Sequence, residues 1–230
     1  MHEHRKRRGT AGFSLPELMI AVSIVLVLMA LTTGLLTRSF NVRARENQRS
    51  DALADAQRAL NIMTREIANS GFGLSDNGIV AADSDLTSIR VRSNLNAFEG
   101  QATSQFVNDR NEDVKYSLWG SGDASYVVRL DIGTQNQTTV LANRVDSLKI
   151  RYYPSKISYT MSPAVSGVSS CDISTNSAEV TQKSDAKYIV MSICVELPER
   201  GRLGSSGYQP ASRVQLVSDV SLRNADINNY

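Results

Sequence analysis

The chain has 230 residues, 41% of them hydrophobic and 21% charged, with 25 cations against 23 acids, a composition that suits one globular domain plus an apolar anchor. Four of those cations and one acid lie within the first twelve residues, leaving 21 against 22 beyond them, so bulk charge makes no case for nucleic-acid binding. The two histidines, His2 and His4, lie in that same stretch, which removes Ser-His-Asp and Cys-His catalysis and a conventional zinc site from the rest of the chain. Paired carboxylates stay possible, but no spacing singles a pair out, and neither a catalytic residue nor a cofactor is expected.

Arg5-Lys6-Arg7-Arg8 precede Gly12-Phe13-Ser14-Leu15-Pro16-Glu17, and from Phe13 to Leu36 the one formal charge is Glu17. A bilayer-spanning helix needs ~20 mostly apolar residues, so residues 13–36 are predicted to span, with the basic leader inside and the remainder exported. A secretory signal places its small-residue cleavage site after the apolar run. Here the small residues come first, so a cut at that point removes residues 1–12 and leaves the helix on the mature protein. Glu17 is the odd residue, since a carboxylate in a membrane helix costs roughly 2.5 to 3.5 kcal/mol and usually has a partner. The plainer reading is a helix-start acid favoured by the positive end of the helix dipole. Gly34 lies inside the span, where it either loosens the helix or lets helices pack closely.

Gly12-Phe13-Ser14-Leu15-Pro16-Glu17-Leu18 resembles the cleavage and methylation site of type IV prepilins and type II secretion pseudopilins. The resemblance implies that a membrane peptidase and methyltransferase cuts after Gly12 and methylates the new terminus at Phe13. It gives Pro16 a place in the first helical turn, and it implies that Glu17 pairs with the methylated amine of Phe13, on its own chain or on a neighbour, during filament assembly.

Residues 38–70 contain no glycine or proline, and Leu53, Ala56, Leu60, Met63 and Ile67 recur at helical spacing. Gly71 supplies a stop. One helix over 13–70, ~85 Å long at ~1.5 Å per residue, is predicted, its amphipathic half (37–70) lying on the protein's own sheet. A coiled-coil dimer is the alternative use of that stripe.

Beyond Gly71 the period becomes two. Strands are predicted at 87–92 with Ile89 and Val91 on one face, at 125–132 with Tyr126, Val128, Leu130 and Ile132 inward, and at 147–153 with Leu148, Ile150 and Tyr152 together. Weaker strand patterns cover 114–119 and 137–142, with a turn over 131–137. Residues 187–197 are apolar on both faces and read as a central strand. Residues 213–222 close the set, with Val214, Leu216, Val220 and Leu222 inward. A head over 71–230 of about seven largely antiparallel strands on one long helix is an α+β fold.

The runs Asn111-Glu112-Asp113-Val114-Lys115-Tyr116-Ser117-Leu118, Leu141-Ala142-Asn143-Arg144-Val145-Asp146-Ser147-Leu148 with its continuation to Tyr153, and Val220-Ser221-Leu222-Arg223-Asn224 resemble the head of PilW-like minor pilins, with kinship to the J-type minor pseudopilin.

Residues 155–186 form a long Ser-, Thr- and Ala-rich loop. Cys171 lies within it, and Cys194 lies in the central strand on the face of Tyr188, Val190 and Ser192. Export permits oxidation, and a Cys171–Cys194 bridge would close a loop of about 24 residues, for ~3 kcal/mol in the chain-entropy model. The stretch 199–212, with Gly201, Gly204, Gly207 and Pro210, reads as a second flexible connection. The acidic segments 76–78, 83–85 and 108–113 lack EF-hand spacing and read as turns, so no metal site is expected.

The resemblance implies a minor pilin: a single-pass inner-membrane precursor, N-terminus inside, later reaching the periplasm and an extracellular pilus. Its implied partners are the prepilin peptidase, the major pilin, other minor pilins and the inner-membrane assembly platform. A type II secretion pseudopilin is the alternative within the class, and a static membrane-anchored adhesin or DNA-uptake receptor the alternative outside it.

Overall fold

The computed structural model describes residues 12–97, 109–120, 125–133, 137–161, 171–204 and 208–225. The predicted turn over 131–137 therefore lies partly outside the described residues. Two compact units make up the chain, Met1–Glu46 and Asn47–Tyr230, and one continuous helix, α1 (Leu15–Ala68), runs from the first into the second.

The sequence places α1 two residues too far at each end. At its C-terminus the Asn69 and Ser70 amides donate to Glu66 and Ile67 carbonyls three residues back, which tightens the last turn and closes the helix. Gly71 then takes φ +78°, a conformation that costs a side-chain-bearing residue ~1–2 kcal/mol. The Asn224 side chain donates to the Asn69 and Ser70 carbonyls, and the Arg223 amide to the Ala68 carbonyl at 3.2 Å, so the chain's last described turn caps the helix end.

Nine strands follow among the described residues. β1 (Ser88–Arg92), β2 (Asp113–Trp119), β3 (Tyr126–Asp131) and β4 (Gln137–Asn143) form an antiparallel four-stranded sheet in that order. β5 (Val145–Tyr153), β8 (Tyr188–Leu197) and β9 (Ser212–Ser221) form a second antiparallel sheet in the order β5-β8-β9. β6 (Thr160–Met161) and β7 (Ile173–Ser174) pair in a third. The head thus splits the sheet that the sequence pattern suggests into two. Both large sheets share one core with the second half of α1.

Ala52, Ala56, Ala59, Leu60, Met63 and Ile67 of α1 are buried against Ile89 and Val91 of β1, Tyr116 of β2, Leu148 and Ile150 of β5, and Ile189, Met191 and Ile193 of β8. The stripe read from sequence is this face, with Leu53 at its partly buried margin. It is used on the protein's own sheets, so the coiled-coil alternative has no apolar face left to it in this half of the helix. Small alanines alternate with larger residues along the stripe, which lets the helix sit close to the pleat.

β8 is the central strand expected, buried at nine of its ten positions. β3 is a correction. Its inward positions are Val127, Arg129 and Asp131, not Tyr126, Val128 and Leu130: Val127 joins the core beside α1, whereas Val128 does not. The reason lies in Glu66 of α1. Its carboxylate accepts from the Arg129 Nε at 3.0 Å and from the Tyr116 hydroxyl, so a charged side chain can face the helix because its partner waits there. A bulge between Val127 and Val128, opposite Leu141 of β4, completes the change of register.

The long loop is also more ordered than its composition suggests. Its described parts, 155–161 and 171–186, carry β6 and β7. Val180 and Ala186 join the core on the α1 side, while the first residues of each part lie on the face of the second sheet opposite α1. There Ile157, Tyr159 and Ile173 pack on Tyr153, Tyr188 and Val190. Arg151 of β5 pairs with Asp172 and Glu179. Asp219 of β9 accepts from Tyr159 at 2.9 Å and from Tyr188 at 2.6 Å. Burial and that Asp219 bond push the Tyr159 phenol up to about 12.

Cys171 and Cys194 form a disulfide with their Cα atoms 5.9 Å apart. It is buried, and Ser192 Oγ donates to the Cys171 carbonyl beside it at 3.1 Å. Removing it with Cys171→Ser and Cys194→Ser together is expected to cost ~3 kcal/mol, a fall of roughly 6–12 °C in Tm for a head of this size. A thermal melt reads the loss, and limited proteolysis should cut first within 155–186. A double variant that melts like the parent, and is cut no faster there, contradicts this account.

Candidate processing and assembly segment

Gly12 and Phe13 are exposed and precede the helix, with the Phe13 side chain 80% accessible. Ser14 is the residue at which the backbone turns into α1: its carbonyl accepts from the Glu17 and Leu18 amides, both at 3.1 Å. Pro16 falls in the first turn, where a missing N–H breaks no helical bond. Glu17 is the third helical residue, and its carboxylate lies 3.4 Å from the Ser14 hydroxyl. Ser14-Leu15-Pro16-Glu17 is thus a capping box in sequence, a local signal that the sequence reading passed over in weighing Glu17 against its membrane cost. It explains why a helix begins here, with an exposed Gly12–Phe13 bond just outside it.

Every residue from 12 to 44 is exposed, and α1 is long and apolar enough to cross a membrane. Four hydroxyl side chains lie between Ser23 and Thr37, and each turns back onto its own helix. Ser23 bonds the Met19 carbonyl at 2.8 Å, Thr32 that of Leu28 at 2.9 Å, Thr33 that of Met29 at 2.7 Å and Thr37 that of Thr33 at 2.9 Å. A polar group without a partner is costly in hydrocarbon, and these four carry their partners with them. Among the described residues the Glu17 carboxylate has only the Ser14 hydroxyl, so it keeps acceptor capacity for a cation. The run of serine and threonine in an apolar helix could have been read this way from sequence. Gly34 lies in unbroken helix, and a Cβ built there meets nothing within 4 Å.

The head holds no comparable centre. Among the described residues no group of three or more His, Cys, Asp or Glu is placed to hold a metal. The acidic turns have other tasks. Asp76 accepts from the Gly78 amide at 2.7 Å, Asp85 from the Thr87 and Ser88 amides at 2.6 and 2.7 Å, and Asp83 pairs with Arg90 and Lys115. Arg90 also holds Asp113 by two bonds of 2.7 Å, and Asp113 and Asp83 keep its guanidinium more firmly protonated than a free one. Asn108, part of one acidic segment, lies outside the described residues. A cleft of ≈340 Å³ between the end of α1 and β1 is lined by Arg65, Glu66, Asn69, Arg92 and Asn111; its acid, Glu66, is already committed to Arg129 and Tyr116, and Arg92 to Asp113.

No curated protein and no solved structure matches this chain. Residues 7–33 match the family model of the prokaryotic N-terminal methylation motif, a window that holds the Gly12–Phe13 bond, the capped helix start, Glu17 and the first turns of the exposed apolar helix. The chain therefore carries, ahead of an α+β head, the N-terminal methylation motif of a type IV pilin- or pseudopilin-type precursor.

Proposed function

We propose that the chain is a minor pilin, cut after Gly12, N-methylated at Phe13 and built into a type IV pilus near its tip or in the complex that primes it. The carrying observation is the junction itself: an exposed Gly12–Phe13 bond, a helix that starts just after Ser14, and then an apolar helix surface that nothing among the described residues covers. Outside a bilayer such a surface is stable only against other apolar surface, and the same segment of neighbouring subunits supplies it. The role is structural. In the membrane the precursor has its basic leader inside and its head outside, and the peptidase and methyltransferase meet it there. The major pilin, other minor pilins and the assembly platform are the partners.

The head supports the minor-pilin reading over a plain anchor. The three runs that resemble PilW-like heads fall at the turn into β2, at the end of β4 with β5, and at the end of β9. The first and last of these pieces close around the C-terminal end of α1, through Tyr116 and Asn224. The J-type pseudopilin reading shares all of this and differs in what the filament serves. N-terminal sequencing and intact mass of the native protein test the proposal: the expected species begins with N-methyl-Phe13 and appears in sheared surface fractions. A full-length protein that begins at Met1 and stays with the membranes is a static anchored receptor instead, and one that begins beyond the apolar segment is an exported β-rich domain; either result ends the assembly reading.

A further inference from the structure

The two large sheets present four outer strands, and three of them carry a device that keeps another strand away. Along β1, the Val80 amide donates to the Arg90 carbonyl at 3.0 Å and the Arg92 amide to the Gly78 carbonyl at 2.8 Å. β5 is covered by Leu86, whose carbonyl accepts from the Ile150 amide at 2.8 Å, and by Val180, whose amide donates to Tyr152 at 3.0 Å. β4 bulges at Leu141. β9 has no such protection. It runs ten residues in unbroken register with β8, contains no Pro, Gly or Lys, and is uncharged from Val214 to Ser218. Among the described residues its backbone makes no hydrogen bond on the side away from β8.

The two charges that could guard this edge are turned back into the head. Arg213 pairs with Asp146 and approaches Glu196 at 4.0 Å, and Asp219 holds the hydroxyls of Tyr159 and Tyr188. What faces outward is a row of unpaired backbone donors and acceptors flanked by Val214, Gln215, Leu216 and Val217, all partly exposed. Such a row is matched by another peptide backbone in extended form.

We propose that the free edge of β9 takes an extended, uncharged strand from the head of a different, neighbouring subunit in the same filament. This rests on the assembly reading above. A second copy of the chain is disfavoured by symmetry. An antiparallel β9–β9 pair has its two-fold axis normal to the sheet, and the Asn47–Ala68 part of α1 lies along that sheet, so the pair would set the two helices head to tail. Subunits inserted from one side of a membrane cannot meet that way. Free association is disfavoured by size: a stable complex buries ~800 Å² per partner, more than one ten-residue edge offers. The contact therefore forms between subunits already held side by side by their packed apolar helices, where the effective concentration is of millimolar order.

Amide hydrogen exchange of the full processed chain, read at single-residue resolution, tests this by comparing detergent-solubilised protein with the same protein in sheared filaments. Every second amide from 213 to 219 should exchange at least about tenfold more slowly in the filament, and Val214→Lys, which sets a cation beside this edge at a partly exposed position, should abolish that difference while the amides that pair with β8 stay protected in the solubilised protein. Equal rates in both forms, uniform protection of the kind a covering loop gives, or protection that persists in the lysine variant overturns the β9 proposal and leaves the assembly reading standing. Absence of the chain from filaments overturns both.

Discussion

A Glu17→Ala chain should still be cut after Gly12 and yet be recovered in filaments at least about tenfold less than the parent. On the proposed reading the bond to be cut lies outside the helix, before Ser14, so cleavage is expected to need no carboxylate at position 17. Assembly is expected to need it, because that cut would create an amine at Phe13, one helical turn before Glu17. That amine sits beside an apolar surface in which every other described polar side chain, from Ser23 to Thr37, already bonds its own helix. Removing one partner of an ion pair in low dielectric leaves the other charge uncompensated, at ~3–5 kcal/mol. A tenfold fall needs ~1.4 kcal/mol, so the expected effect clears the measurement even when solvent screens most of the pair. Glu17→Gln keeps the size and a hydrogen bond to Ser14 but not the charge, and should fall nearly as far. Immunoblots of sheared filaments, normalised to the membrane pool and paired with N-terminal sequencing, read both numbers. Parent-level incorporation of both variants would remove the ion pair from the account.

The reading of residues 13–36 stands on covalent chemistry and bulk hydropathy, which need no tertiary context, and the same is true of the helical stripe from Leu53 to Ile67. β8 could be read because a strand apolar on both faces has few places to go except the middle of a sheet. Failures came where one residue's environment is decided by another far away in sequence. Arg129 faces α1 because Glu66, 63 positions earlier, is there to receive it, and alternation alone puts the arginine outside. The division into two sheets depends on the one-residue turn at Arg144, which takes φ +58° between β4 and β5; the pattern separates the strands at 137–142 and 147–153 but carries no sign that the sheet divides between them. β6 and β7 have two residues each, too few for any period to show. Ser14 was legible and was passed over, because attention to the membrane cost of Glu17 hid its ordinary relation to a serine three residues earlier.

Gly78→Ala should be the most damaging single-methyl change in the head, lowering its stability by about 3–4 kcal/mol and its Tm by roughly 10 °C. After α1 ends, the chain makes a tight excursion from Gly71 to Gly78 and returns onto β1. The Gly71 amide donates to the Arg92 carbonyl at 2.9 Å, and the Arg92 amide donates to the Gly78 carbonyl at 2.8 Å. Gly78 sits between these partners at φ +73°, and a Cβ there would lie 2.2 Å from the Arg92 carbonyl oxygen, 2.3 Å from the Gly71 nitrogen and 2.6 Å from Ser70 Oγ. Two of the three obstacles are backbone, so no rotamer change relieves them. The Gly71–Arg92 bond must open or the turn must shift, and either leaves buried polar groups unmade at ~1–3 kcal/mol, on top of ~1–2 kcal/mol for the left-handed conformation. Gly204→Ala separates the two contributions. Gly204 takes φ +83°, but its Cβ would meet nothing within 4 Å, so only the conformational part is lost there and Tm should fall by no more than a few degrees. The same melt on both variants measures the clash as their difference. Equal, small shifts would show that the chain leaving α1 can move aside, and that the closing of the helix end onto β1 does not hold the head together.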